Sequence, residues 1–369
     1  FSGISFDGVL VSTVQISVLD VTSGNCYNAA VNAFNLPCPA WLGAQGSTTN
    51  WSFAFPVQPW VHAAQYVLRS SATDVATNVQ TTVSSAAFTF DIRQSTAGLT
   101  VPSAGALGPL LGNIAGTATD VPAGVSSLSL AISSGAGLSN WYNGATFTGG
   151  AATFFATSAY VIGVPDTWAW AYPGLADGQL YTMRTRTIDR ASNQRDQDFV
   201  FRFDSSSPTA SIADPVNIGF KTGNFTITGG SSDIDPDGAG PKAGTLVSTV
   251  AVSIERLGTG LCYVYGGAFT LPCPNYIPAG GVPAAWTFTP SPNPYTTSES
   301  YNVSAQARDN AGNTQDVFAA GTSSNTFTYN TAVPTVGIGY PATARHRDLN
   351  ILSGTANDAI PTSLGKVQV

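Results

Sequence analysis

A chain of 369 residues with a formal net charge of −7, a pI near 4.6 and only Lys221, Lys242 and Lys366 as lysines lacks the clustered cations that phosphate backbones demand, so nucleic acid is excluded as a partner. Hydrophobic residues make up 43 % and charged ones 9 %, which is apolar enough to fold but leaves an uncharged Gly/Ser/Thr surface, unlike disordered sequences. No apolar run approaches the roughly 18 residues of a membrane helix, and no membrane span is expected.

In chain order, the first landmark is a Gly followed four residues later by Asp: Gly3/Asp7, repeated as Gly116/Asp120, Gly229/Asp233 and Gly354/Asp358. An alternating apolar triplet comes next, Val14/Ile16/Val18, then Leu128/Leu130/Ile132 and Val250/Val252/Ile254, with Val367 and Val369 opening a fourth. Period-two alternation is the mark of a strand with one buried face. A Trp-led strand follows (WSFAF from Trp51, WAWAY from Trp168, WTFTP from Trp286), and then a tyrosine stretch. The latter reads YVLRSSATDVATN from Tyr66, YTMRTRTIDRASN from Tyr181 and YNVSAQARDNAGN from Tyr301. Each copy is a strand that runs into an Asp-x-x-x-Asn turn, at Asp74/Asn78, Asp189/Asn193 and Asp309/Asn313, because Asp and Asn side chains bond nearby backbone. A closing strand ends each unit at Phe88/Phe90, Phe201/Phe203 and Phe327/Tyr329, followed by Asp91, Asp204 and Asn330; Pro102, Pro215 and Pro341 lie beyond.

The tyrosines are 115 and 120 residues apart, the size of a small domain. About seven short strands per unit predict an all-β protein of tandem immunoglobulin-like sandwiches in a linear array. The divisions read as 1–94 (a unit lacking its first strand), 95–207, 208–333 (with an acidic insertion) and 334–369 (the opening strands of a fourth). No Gly/Ser or Pro-rich linker intervenes, so the units should abut. The chain reads as a cut from a continuous array. In the alternative, the C-terminal strands of one subunit complete the first domain of the next; the array is preferred because the tail also carries strands which that domain already has.

DGQLYTMRTRTIDRASN (Asp177 to Asn193), SAQARDNAGN (Ser304 to Asn313), SGTAND from Ser353 and the Pro-Thr pairs at Pro208 and Pro334 resemble the bacterial Ig-like domains found in tandem in very large cell-surface proteins and adhesins. The resemblance spans nearly the whole chain and departs from the pattern in the first unit, where no Asp-Gly precedes Tyr66 and no Pro-Thr follows Asp91. It implies an extracellular position and a spacer or adhesive role.

Four cysteines form two local pairs, Cys26/Cys38 and Cys262/Cys273, in matching contexts (CYNAAVNAFNLPCPAW and CYVYGGAFTLPCPNY). Unit two has Trp141-Tyr142 in place of Cys-Tyr and no second cysteine, so both partners are lost together, as expected of bonded pairs. With His62 and His346 the only histidines, zinc is not expected. Two intradomain disulfides place the chain in an oxidising, extracytoplasmic compartment.

No GxSxG, HExxH, P-loop or dinucleotide fingerprint is present, and the only glutamates are Glu255 and Glu299, so no enzyme activity is expected. Unit three inserts DIDPDG between Gly229 and Val250, with Asp233, Asp235 and Asp237 alternating before Gly238. This is half of a calcium loop; Gly244 stands where an EF-hand needs Glu. It reads either as a looser calcium site or as a solvated acidic loop. The calcium reading gathers Asp233, Asp235, Asp237, Asp309 and the segment around Asp214 at the joint between domains two and three. The joint before domain two offers only Asp120 and is expected to lack the ion. Trp51, Trp168 and Trp286 read as core. Trp41 and Tyr276 pack on the disulfides or face a neighbour or a sugar, and the sequons at Asn50, Asn224 and Asn302 read as chance in a bacterial source.

The leading functional expectation is an extracellular structural protein, self-associating into a stalk or fibre. The rival is an adhesin that binds a cell-surface glycan or protein ligand, and a third reading is accessory domains of a polysaccharide enzyme. No cofactor beyond calcium is implied.

Overall fold

A computed structural model describes residues 1–369 except 9, 48, 104, 110, 111, 136, 234–245, 344, 359–365 and 369. The described residues form strands and turns, with no α-helix among them. The chain is a series of immunoglobulin-like β-sandwiches, two of which have the full set of strands.

In domain 2 one sheet runs, in spatial order, Thr96–Val101, Ile114–Thr119, Asp166–Trp170 and Ala159–Val161. The facing sheet runs Ala106–Leu107, Gln194–Phe203, Leu180–Asp189, Val125–Ser134, Asn140–Tyr142 and Phe147–Gly149. Domain 3 repeats both. Its entry strand Thr209–Asp214 pairs with Ile227–Ser232, and the short strand Gly219–Lys221 lies parallel to the closing strand Ser324–Tyr329. Domain 1 begins at Ser2–Ile4, the counterpart of Ile114–Thr119, and among the described residues has neither the entry strand nor the short parallel one. Beyond domain 3, Thr335–Tyr340 pairs with Ser353–Asn357 as an isolated hairpin.

The recurring landmarks have physical causes. The glycines are required by the tryptophans: a Cβ on Gly3 would lie 2.5 Å from the Trp51 ring, on Gly116 2.4 Å from Trp168 and on Gly229 2.3 Å from Trp286. The indoles lie across the glycine strand and are buried, as expected for core positions. Each repeated tyrosine is also buried, and its hydroxyl accepts a backbone N–H from five residues upstream: Val61 at 2.9 Å, Ala176 at 2.8 Å and Thr296 at 2.8 Å. Burying such a side chain contributes about 1.5–3 kcal/mol, and the hydroxyl is not stranded in the core. The strand carrying the apolar triplet has a register shift at the same place in every domain, between Val11 and Thr13, Val125 and Ser127, and Val247 and Thr249. A bulge re-aims a strand end, and here Ser12 and Ser248 donate to the carbonyls of the Asp turn, at 3.0 Å from Asp74 O and 2.9 Å from Asp309 O.

Each domain has its own core. In domain 1, Phe53, Phe55, Trp60, Phe88 and Phe90 reach only partial burial. Leu107, fully buried in domain 2, lies on the short parallel strand, which has no counterpart among the described residues of domain 1.

Candidate functional site

The groups with most chemistry gather where one domain leaves and the next begins. At the joint of domains 2 and 3, Asp204 follows the closing strand, Asp233 follows the glycine strand and Asp309 ends the tyrosine strand. All three are buried, and one carboxylate oxygen from each lies within 4.8 Å of the others. Asn313 ties the group together. Its N–H donates to Asp309 Oδ1 at 2.8 Å, and its Nδ2 donates to Asp309 Oδ2 at 2.9 Å and to the Asp204 carbonyl at 2.9 Å. Gln315 Oε1 then accepts the N–H of Ala210 on the incoming strand at 2.8 Å. The Asp-x-x-x-Asn turn is therefore more than a hairpin cap: its Asn clamps the exit backbone of the preceding domain. Gly108 of domain 2 fits under the same turn, where a Cβ would lie 2.3 Å from the Ala311 carbonyl.

The joint of domains 1 and 2 has the same construction. Asp91, Asp120 and Asp189 each bring an oxygen within 4.8 Å of the others. Asn193 donates to both Asp189 oxygens at 2.9 Å and to the Asp91 and Arg93 carbonyls at 3.2 and 3.1 Å. Gly124 N–H donates to Asp120 at 2.9 Å, and His62 Nδ1 lies 3.1 Å from Asp91 Oδ1, close enough to pair when the ring is protonated. Beyond domain 3 the first position is Asn330, whose Nδ2 faces both oxygens of Asp358 at 3.5 Å.

Burial dominates the electrostatics. It pushes the Asp309 carboxyl up against the opposing pull of the Asn313 bonds. It also pushes Asp120 up, assisted by the neighbouring Asp91 charge.

Of the residues that the sequence gathers at this joint, Asp233 and Asp309 meet, while Asp235 and Asp237 lie outside the described residues. The sequence reading and the structure differ in two ways. Asp214 is not in the cluster; it ends the entry strand and pairs with Lys221, and the incoming carboxylate is Asp204. The joint before domain 2 does not rely on Asp120 alone, because Asp91 and Asp189 reach it from other elements. The donor set at both joints is hard carboxylate oxygen, which fits calcium or a similar divalent ion.

Cys26 is bonded to Cys38 and Cys262 to Cys273, each with Cα atoms 5.1 Å apart. Closing a loop of this size contributes about 3 kcal/mol. In domain 2, Trp141 stands opposite Ser133 as Cys262 stands opposite Glu255. Its indole is buried, and the Arg184 guanidinium lies 5.4 Å over it. Arg184 in turn holds Asp198 with two bonds of 2.7 and 2.8 Å. A stacked ring and a cross-strand ion pair thus occupy the place of the covalent link. Tyr276 stacks on Phe318, with centroids 6.1 Å apart and planes at 22°.

No known protein family and no curated relative matches the sequence. Among solved structures the chain is similar to the fibronectin(III)-like modules of Clostridium thermocellum CbhA, at 15 % identity over 64 % of this chain and 94 % of that one, with a TM-score of 0.33. It is similar to a tetra-tandem repeat in the extending region of a large adhesion protein, at 18 % identity over 92 % and 72 %, with a TM-score of 0.25. It is also similar to the chicken CNTN1 FN1–FN3 domains, at 9 % identity over 88 % and 91 %, with a TM-score of 0.35.

Proposed function

We propose that these domains are an extracellular spacer, a stretch of stalk or filament whose work is to hold a fixed geometry. The observation that carries the reading is the clamp at consecutive joints. Asn193 and Asn313, each fixed by its own Asp, donate to the backbone of the preceding domain. A flexible string of beads has no use for buried interdomain hydrogen bonds, because ordering each joint costs conformational entropy. The disulfides support an oxidising compartment.

Calcium belongs to this reading as a stiffener. Asp204, Asp233 and Asp309 would hold it at one joint, and Asp91, Asp120 and Asp189 at the other. Bound calcium would neutralise part of the charge that three converging carboxylates bring to each joint. The chain's own residues do the rest: Asn313 and Asn193 orient the carboxylates and shut the joint.

Electron microscopy of the native material, with small-angle scattering of the chain in calcium and in chelator, tests the proposal. Uniform filaments and a rod that bends on chelation are expected. A flexible ensemble under both conditions, together with selective binding on a glycan array, would favour the adhesin instead.

A further inference from the structure

Domains 2 and 3 secure their entering and leaving segments to each other by the same device, but to different extents. In each, the entering segment crosses from one sheet to the other and ends in the short strand beside the closing strand. The two strands are parallel. Tension along the array reaches the short strand from its N-terminal side and the closing strand from its C-terminal side. The pair is therefore slid along its length, and its backbone bonds are loaded together instead of being opened one after another. Forced unfolding is governed by the unfolding barrier and not by equilibrium stability, so the strength of this pair sets the rate at which the domain yields.

In domain 2 the pair is Ala106–Leu107 on Gln194–Phe203, with two residues in register. Arg202 N–H donates to the Gly105 carbonyl and Asp204 N–H to the Leu107 carbonyl, both at 2.9 Å. In domain 3 all three residues of Gly219–Lys221 are in register with the closing strand. Ile218 N–H donates to the Thr326 carbonyl and Asn330 N–H to the Lys221 carbonyl, both at 2.8 Å. Leu107 and Lys221 correspond, since each accepts from the residue that follows the closing strand. Counted back from them to Pro102 and Pro215, the crossover of domain 3 is one residue longer.

Two asparagines brace that longer crossover. Asn325, buried, donates Nδ2 to the Pro215 carbonyl at 2.8 Å and to the Ile212 carbonyl at 3.4 Å. Asn217 Oδ1 accepts Thr326 N–H at 2.9 Å and the Thr326 hydroxyl at 3.2 Å. Each tie runs from the closing strand to the entering segment, across the sliding pair. Between them Ile218 sits at φ 58° with its side chain exposed, a strained backbone for a β-branched residue. Such strain persists only where the surroundings over-determine it, as these bonds do. Domain 2 has Phe199 in place of Asn325, and its crossover Ser103-Ala104-Gly105 contains no amide side chain. Its Arg184–Asp198 bridge joins the closing strand to the tyrosine strand and does not cross the pair. A glutamine tie to the entry strand is common to both domains, Gln197 to Ala97 at 2.7 Å and Gln315 to Ala210 at 2.8 Å.

We propose that the array yields in a fixed order under tension, with domain 2 giving way and lengthening while domain 3 holds. The disulfides set how much chain each domain then releases. Domain 2 has no cysteine and releases its whole length, whereas in domain 3 the loop from Cys262 to Cys273 stays closed. The tension comes from the spacer reading, on which the proposal rests; the order is a property of the two domains themselves.

Force spectroscopy of the full chain, held at its two ends with and without reductant, tests the order. Reduction opens the closed loop, so the domain 3 step lengthens by about 30–35 Å. Domain 1, with its own closed loop, lengthens as well, and the domain 2 step is the one whose length does not change. At constant force the domain 2 step is expected first, at a rate roughly tenfold above that of domain 3. Asn217→Ala with Asn325→Ala should raise the domain 3 rate by about tenfold. Thr326→Val, a milder change that deletes only the hydroxyl bond, should raise it about threefold. Ile254→Val, in the core away from the pair, should lower denaturant stability yet leave the forced rate within about twofold. Domain 3 yielding first or at an equal rate, a forced rate unmoved by the asparagine and threonine variants, or equal acceleration by Ile254→Val would overturn the proposal. A flexible ensemble in scattering together with the expected order under force would remove the spacer reading and leave the order standing. A rigid rod with the reverse order would remove the proposal and leave the spacer.

Discussion

The Asp74 and Asp309 turns share sequence and internal bonds but not chemistry. In each, the Asn N–H and Nδ2 grip the two carboxylate oxygens. Asp74 is half-buried in domain 1, and the Asn78 amide holds its carboxyl below the usual value. Asp309 is 2 % exposed in the joint, and burial pushes its carboxyl up although the Asn313 bonds pull down. The motif by itself is a turn with a well-solvated anion. It becomes a strained electrostatic site only when a preceding domain lands on it, and the difference measures what the joint does.

The sharpest way to break the comparison is to remove the two Asn side chains in turn. Asn313→Ala would leave the Asp204 carbonyl and an Asp309 oxygen buried without that donor, at a cost of about 2–3 kcal/mol. Asn78→Ala removes only the bond to Asp74 Oδ2, where water can replace it, and roughly half that loss or less is expected. Denaturant unfolding of the full chain, followed by domain-resolved hydrogen exchange, reads both. Equal losses would mean that the Asn is a turn residue in both places and no clamp.

A second, smaller perturbation acts on the closed turn alone. Gly108→Ala places a methyl against the Ala311 carbonyl, and main chain cannot yield as a flexible side chain would. The joint must open slightly, costing about 1–3 kcal/mol. Scattering should show a changed angle between domains 2 and 3, while exchange protection at the Asp74 turn stays as it was. An unchanged scattering curve would show that the two domains do not bear on each other at this glycine.

Much of this architecture was legible in the sequence, because strand period, the Gly–Trp pairing and the buried tyrosines recur in fixed order. Gly116 and Trp168, for example, announce themselves as landmarks, although only the structure shows the indole lying on the glycine. The loss of both cysteines in domain 2 was equally readable, but the stack of Trp141, Arg184 and Asp198 was not, since its members come from three strands. The joints were half legible. Asp204, Asp233 and Asp309 belong to three elements and two domains, and no spacing rule links the exit of one sandwich to a turn that far downstream. Asp214 stands near the domain entry in sequence, which is what points to it. However, an entry strand carries its last residue away from the joint at roughly 3.3 Å per residue. His62 gave no signal, because its contact with Asp91 depends on how domain 1 ends.

The smallest expected effect sharpens the comparison through pH. Asp309 binds its proton more tightly in the folded chain than in the unfolded one, because burial penalises the anion. Between the unfolded value and the raised folded one, the native state therefore holds more protons, and stability falls as pH rises through that window. Above the window the charged carboxylate keeps the joint at its weakest. Asp74 has the opposite sign: its lowered pKa contributes stability above the ordinary carboxylate value, and that contribution is lost as pH falls through the folded value. In calcium-free buffer, protection of amides around the joint of domains 2 and 3 should rise as pH falls through that window, while protection around Thr77 and Asn78 declines as pH falls through the lowered folded value of Asp74. Calcium should invert the first trend, because the ion needs the carboxylates deprotonated and protons displace it. Asp309→Asn should flatten the acid response at the joint without touching the open turn. If acidification weakened both turns alike in chelator, burial would not be what separates them, and the joint would be solvated like the free end.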